Sequence, residues 1–150
     1  MTATLQDAWQ AALATEQRAA FGYGLLGAHL HGSPQLALAI TCSDEHEALR
    51  DATEQAIAAA GLTPVAPAAD YPDLYPVNTP AQSAALAVRL EDDCAAAWRY
   101  LYAVAADADS THATALRSTA QSALTASAVR ATRWRKITDP SAATVAFPGL

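Results

Sequence analysis

The chain reads as an all-α protein, a four-helix bundle, and three observations carry that reading. Hydrophobic residues make up 52% and charged residues 16% of its 150 positions, enough apolar surface for a core and too little charge for a disordered chain. Alanine is in marked excess, and it is both the strongest helix former and small enough to let helices approach closely. Apolar residues recur at three- and four-residue steps through four long segments, and every proline falls at or between their ends.

The first segment, about 5–31, places Leu5, Trp9, Ala12, Glu16, Ala20, Tyr23, Gly27 and Leu30 on one helical face. Gly32 ends it, and Ser33-Pro34 offers an N-cap followed by proline at the first helical position. The second helix is predicted over about 34–60, with Leu38, Cys42, Leu49, Thr53 and Ile57 facing inward and Gly61 closing it. Residues 61–79, with prolines at 64, 67, 72 and 76, favour extended backbone. Tyr71, Leu74, Tyr75 and Val77 give this crossover apolar groups with which to lie on a surface. "TPAQ" at 79–82 is a capping box that opens a third helix over about 80–106. The fourth begins near Asp109-Ser110, spans about 110–137 and stops before Asp139-Pro140, leaving 138–150 irregular. The length predicts one domain.

Loop length decides the expected topology. The turns joining helices 1 and 2, and helices 3 and 4, are short, so each pair forms an antiparallel hairpin. A helix of this size is roughly 40 Å long, and a crossover of about 18 residues reaches roughly 60 Å when extended. The crossover can therefore run the length of the bundle and set helices 2 and 3 parallel.

Counting along the hairpins brings charges together. Glu16 lies at the height of about residue 49 in helix 2, near His46 and Arg50, which are four apart on one face. Glu91 shares a face with Cys94, Trp98 and Leu101, and its level in helix 4 falls near Ala123, Leu124 and Ser127. Tyr23, seven residues after Glu16, lies on the same face. The expected core polar cluster is Glu16, Tyr23, His46, Arg50 and Glu91. In one reading Arg50 or His46 neutralises the two buried carboxylates. In the other, Glu16, His46 and Glu91 form a mononuclear site for iron, manganese or zinc.

Several stretches, "EQRAAFGYGLLGAHL", "EHEALRD", "LEDDCAAAWRYL", "AVRATRWR" and "FPGL", resemble the DUF4439 family of uncharacterised actinobacterial proteins within the ferritin-like superfamily. The resemblance implies a ferritin-like bundle and leaves the activity open. Di-iron members of the superfamily take one Glu from each of helices 1 and 3 and a Glu-x-x-His pair from each of helices 2 and 4. Glu16 and Glu91 match the lone glutamates and His46 matches a histidine, but Ser43 stands three residues before it. Between Ser118 and Lys136 there is no Asp, Glu, His or Cys, so a complete di-iron centre is not expected.

The remaining features narrow the function class. A net charge of −6 argues against nucleic acid and anionic membranes as partners. The run Arg130, Arg133, Arg135, Lys136 reads as compensation of the helix dipole and pairing with an acidic surface. No apolar run reaches the roughly 18 residues of a membrane span, and "MTATLQDAWQ" has no signal-peptide pattern, so a cytoplasmic protein is expected. Cys42 and Cys94 are expected reduced and buried, too far apart along the bundle for a bridge. His29, His31 and His112 fall at helix ends. No phosphate loop, nucleophile elbow or nucleophile–His motif is present. Ala20, Gly24 and Ala28 form a smooth strip that suits either internal packing or a homodimer seam. The expectation is a non-enzymatic bundle without a cofactor, acting as a small-molecule-binding or protein-interaction module and as a homodimer. The alternative is a metalloprotein built on Glu16, His46 and Glu91.

Overall fold

The computed structural model describes residues 3–108 and 111–150. Among them lie four long helices and no strand: α1 (Ala3–Gly27), α2 (Leu36–Ala59), α3 (Pro80–Ala106) and α4 (Ala113–Thr138). The third helix has the expected bounds, set by its cap: Thr79 Oγ1 accepts from the Gln82 amide at 3.1 Å, with Pro80 at the first helical position. Gln82 completes the cap one residue further back than expected, its Oε1 accepting from the Asn78 amide at 2.8 Å.

The first hairpin turn is longer than the sequence suggests. α1 stops at Gly27, and two overlapping four-residue turns, closed by His29 N to Leu26 O and Leu30 N to Gly27 O, follow before Gly32 takes φ +76°. Ser33 accepts from the Gln35 amide at 3.2 Å, but one more turn intervenes before α2 starts at Leu36. Asp109 and Ser110, expected to open the fourth helix, lie outside the described residues, and α4 starts at Ala113.

α1 packs on both α2 and α3, and α3 packs on both α1 and α4, so the α1–α3 pair forms the spine of the bundle. Two clusters of apolar side chains fill the interior. One is built around Leu5, Trp9, Leu13, Ile57, Trp98 and Leu101, the other around Tyr23, Leu26, Leu74, Leu90 and Trp134. The buried polar residues Glu16, His46 and Glu91 stand between them in sequence height.

The crossover runs along α1 as a strap. The Gln10 side-chain amide donates to Thr63 O and accepts from Val65 N, both at 2.8 Å, much as a neighbouring strand would. Gln17 Nε2 donates to Val65 O at 2.8 Å, the Phe21 and Tyr71 rings pack 5.2 Å apart, and Arg18 pairs with Asp73 and Asp93. Leu74 and Val77 are buried at the far end. This path joins the foot of α2 to the start of α3 at the opposite end, so α2 and α3 run parallel. After Asp139 and Pro140 the tail folds back on α3, where Arg99 donates to Pro148 O at 3.2 Å.

Candidate functional site

Glu16 on α1, His46 on α2 and Glu91 on α3 meet at mid-height, and all three are fully buried. They do so because the helices are long, nearly equal arms, and each carries its charge on the inward stripe. His46 bridges the two acids: Nδ1 lies 2.6 Å from Glu16 Oε2 and Nε2 lies 3.0 Å from Glu91 Oε1. Only an imidazolium can donate from both nitrogens. Burial pushes His46 toward its neutral form, but the hydrogen bonds and charges of Glu16 and Glu91 outweigh it and hold the pKa at about 9.

The rest of the network consists of donors. Trp98 Nε1 donates to Glu16 Oε1 at 2.6 Å, and the Tyr23 hydroxyl donates to Glu91 Oε1 at 2.6 Å. The Tyr23 ring also stacks on the His46 imidazole, centroids 5.3 Å apart. Burial and the neighbouring Glu91 charge push the Tyr23 phenol well above its ordinary range, so it serves as a fixed donor.

The cation that completes the site comes from α4. Arg130 Nε sits 3.0 Å from both oxygens of Glu91, one terminal nitrogen reaches Glu45 Oε2 at 2.8 Å, and the other donates to Ser127 Oγ at 3.1 Å. The guanidinium side chain is only 4% exposed. Burial works against its charge, and the Glu91 carboxylate more than compensates.

The structure thus brings Glu16, Tyr23, His46 and Glu91 together and leaves Arg50 out. Arg50 is half-buried at the surface and pairs with its neighbour Asp51 at 2.8 Å. Arg130 stands in the role expected of it, although the basic run of α4 reads as a solvated face. The inward spacing of Ala123, Ser127, Arg130 and Trp134 is the signal that distinguishes it from Arg133 and Lys136.

Counted as formal charges, Glu16 and Glu91 balance His46 and Arg130, and the buried set is neutral. Glu16, His46 and Cys94 also bring one oxygen, one nitrogen and one sulfur within 4.8 Å of one another, a spacing that a metal ion accepts. Against this, Cys94 is buried and pushed well above the usual thiol range by burial and by both acids, which favours S–H over thiolate. Cys42 is also buried, and both thiols are free.

The family described as Domain of unknown function (DUF4439) matches residues 8–150. Among solved structures, the chain is similar to a conserved hypothetical protein from Mycobacterium tuberculosis, at 33% identity and a TM-score of 0.78. The match covers 91% of this chain and 99% of that one. No curated protein matches the chain.

Proposed function

The chain belongs to the DUF4439 family, and from that premise we propose that it is a non-enzymatic, ferritin-like bundle acting as a binding module. In this reading an internal ion network stands where a di-iron centre would be. The observation that carries it is the grip of Arg130 on both oxygens of Glu91. A di-iron centre needs Glu91 as a ligand and a Glu-x-x-His pair from α4. α4 supplies a guanidinium instead, which satisfies the carboxylate and repels a metal cation. The donor set does not fit two irons.

A mononuclear site on Glu16, His46 and Glu91 has less support, because both nitrogens of His46 already face carboxylate oxygens and Glu91 is held by Arg130. The four donors His46, Trp98, Tyr23 and Arg130 satisfy the two carboxylates, and the one thiol beside them, Cys94, is held as S–H by burial and by both acids, so the role of the cluster is to hold the four helices in register. Binding then falls to the outer surfaces.

The module would work in the cytoplasm, in keeping with the lack of any helix among the described residues that is long and apolar enough to cross a membrane. The homodimer expected from the sequence would use the strip of Ala20 and Gly24 on α1 and Ala28 in the turn just after it, all exposed or half-exposed. Sedimentation velocity at several protein concentrations tests it, and a mass of one chain throughout would refute it.

The metal question is tested by elemental analysis of untagged protein, together with melting temperature in added Fe(II), Mn(II) and Zn(II). The proposal expects sub-stoichiometric metal and an unchanged midpoint. One metal per chain, with a metal-dependent rise that His46→Ala abolishes, would overturn it.

A further inference from the structure

α2 and α4 do not pack closely on one another, unlike the other neighbouring helix pairs. At mid-height they are tied by the Arg130–Glu45 ion pair across 2.8 Å. Toward the foot of α2 the facing positions among the described residues are mostly alanines, Ala52, Ala56, Ala59, Ala60 and Ala115, with side chains too short to reach across. The result is a cleft of about 370 Å³. Thr53, Trp9 and Leu116, 3%, 4% and 5% exposed, are its most buried lining residues, and Leu49, Ala56, Ala115 and Thr119 form walls and rim.

The chemistry of the lining selects its occupant. Among the described residues no Asp, Glu, Lys or Arg lines the cleft, on a chain of net charge −6, and its polar lining is His112 with the hydroxyls of Thr53 and Thr119. The hydroxyl of Thr53, which also lines it, already donates to Leu49 O at 2.7 Å. His112 and Thr119 are exposed at the rim and would serve ordered water there, whereas deeper in an apolar molecule would cover an indole and two leucines. The volume lies within the range of small-molecule pockets. An apolar cavity of about 150 Å³ accepts benzene, which scales to about ten to fifteen non-hydrogen atoms here.

We infer that this cleft is a binding site for a small, neutral, aromatic or hydrocarbon-like molecule, seated against Trp9 between α2 and α4. The inference rests on reading the protein as a binding module and names the ligand class. It does not depend on what the mid-height network holds.

The test is titration of 1-naphthol, with 1-octanol as an aliphatic probe, into the full-length protein by calorimetry and tryptophan fluorescence. Saturation at one molecule per chain is expected, with the fluorescence response lost in Trp9→Phe. Ala56→Phe and Ala115→Phe fill the cleft from exposed helix positions, and each should weaken binding at least tenfold with helicity and melting temperature retained. Absence of saturable binding by either probe, or binding indifferent to both filling variants, would overturn the inference. Metal uptake at His46 would sink the reading of the core and leave these outcomes unchanged, so the two failures are distinguishable.

Discussion

Arg130 holds Glu91 through a single nitrogen, Nε, placed 3.0 Å from each carboxylate oxygen, and so ties α4 to α3 at the one level where α1, α2 and α3 all present charge. The remaining guanidinium nitrogens are spent on Glu45 and Ser127. A buried ion pair of this kind gains little over a hydrophobic pair, but removing one member strands the other charge.

Arg130→Met should therefore destabilise the protein by about 3–5 kcal/mol. Arg130→Lys should recover only part of that, because an ammonium cannot satisfy Glu91, Glu45 and Ser127 from one planar fork. Arg50→Met, at a half-buried position paired with adjacent Asp51, should stay within about 0.5 kcal/mol. Urea unfolding of the three variants checks the ordering, and equal losses for Arg50→Met and Arg130→Met would contradict the assignment.

Much of this arrangement is legible in the sequence, and the part that is not has a physical reason. Counting along the hairpin arms brings Glu16 and His46 to one level even though the first turn is longer than expected, because Glu16 lies 11 residues before the end of α1 at Gly27 (27 − 16) and His46 10 residues after the start of α2 at Leu36 (46 − 36). The same count puts Glu91 opposite residue 124, whereas α3 ends at Ala106 and α4 starts only at Ala113. The longer turn shifts the register toward Ser127. Helical side chains also lean toward the N-terminus, so a long arginine serves a level below its own Cα. Both effects favour Arg130. The strap's course was harder to read, since its anchors Gln10, Gln17 and Arg18 are polar residues that resemble a solvated face until the chain lies over them.

The glycines of α1 make a paired prediction. A Cβ at Gly22 would lie 2.5 Å from Leu90 Cδ1 and 3.4 Å from Leu74 Cδ1, in the contact that seats the strap. Gly22→Ala should cost about 1–3 kcal/mol from overpacking despite its better helix propensity. Gly24 has nothing within 4 Å of such a Cβ, so Gly24→Ala should stabilise by about 0.5–1 kcal/mol. Thermal melts that move both variants the same way would contradict this account of the close approach.

The two cysteines are placed to be inert. Burial pushes both thiols up, that of Cys94 most strongly, and the nearby acids add to it. Folded protein at pH 8 should react negligibly with a disulfide reagent such as DTNB, whereas denatured protein should titrate two thiols, matching the free Cys42 and Cys94. A fast-reacting thiol in the folded protein would show that one of them reaches solvent.

His46 makes stability depend on pH, and the sign follows from the direction of its shift. The folded pKa is raised from 6.5 to about 9, because the imidazolium is bound by both Glu16 and Glu91. A raised folded value means that the contribution is fully present below pH 6.5, where both states carry the proton. It declines as pH climbs from 6.5, where the unfolded chain loses its proton, toward about 9, where the folded protein does too. Integrated over that window the loss is roughly 3 kcal/mol. Unfolding free energy should thus be greater at pH 6 than at pH 9.5, and His46→Gln should be less stable at pH 6 and should flatten the difference. An unchanged pH profile in His46→Gln would mean that the imidazole is neutral between its two carboxylates, and the balance of charge at the centre of the bundle would have to be redrawn.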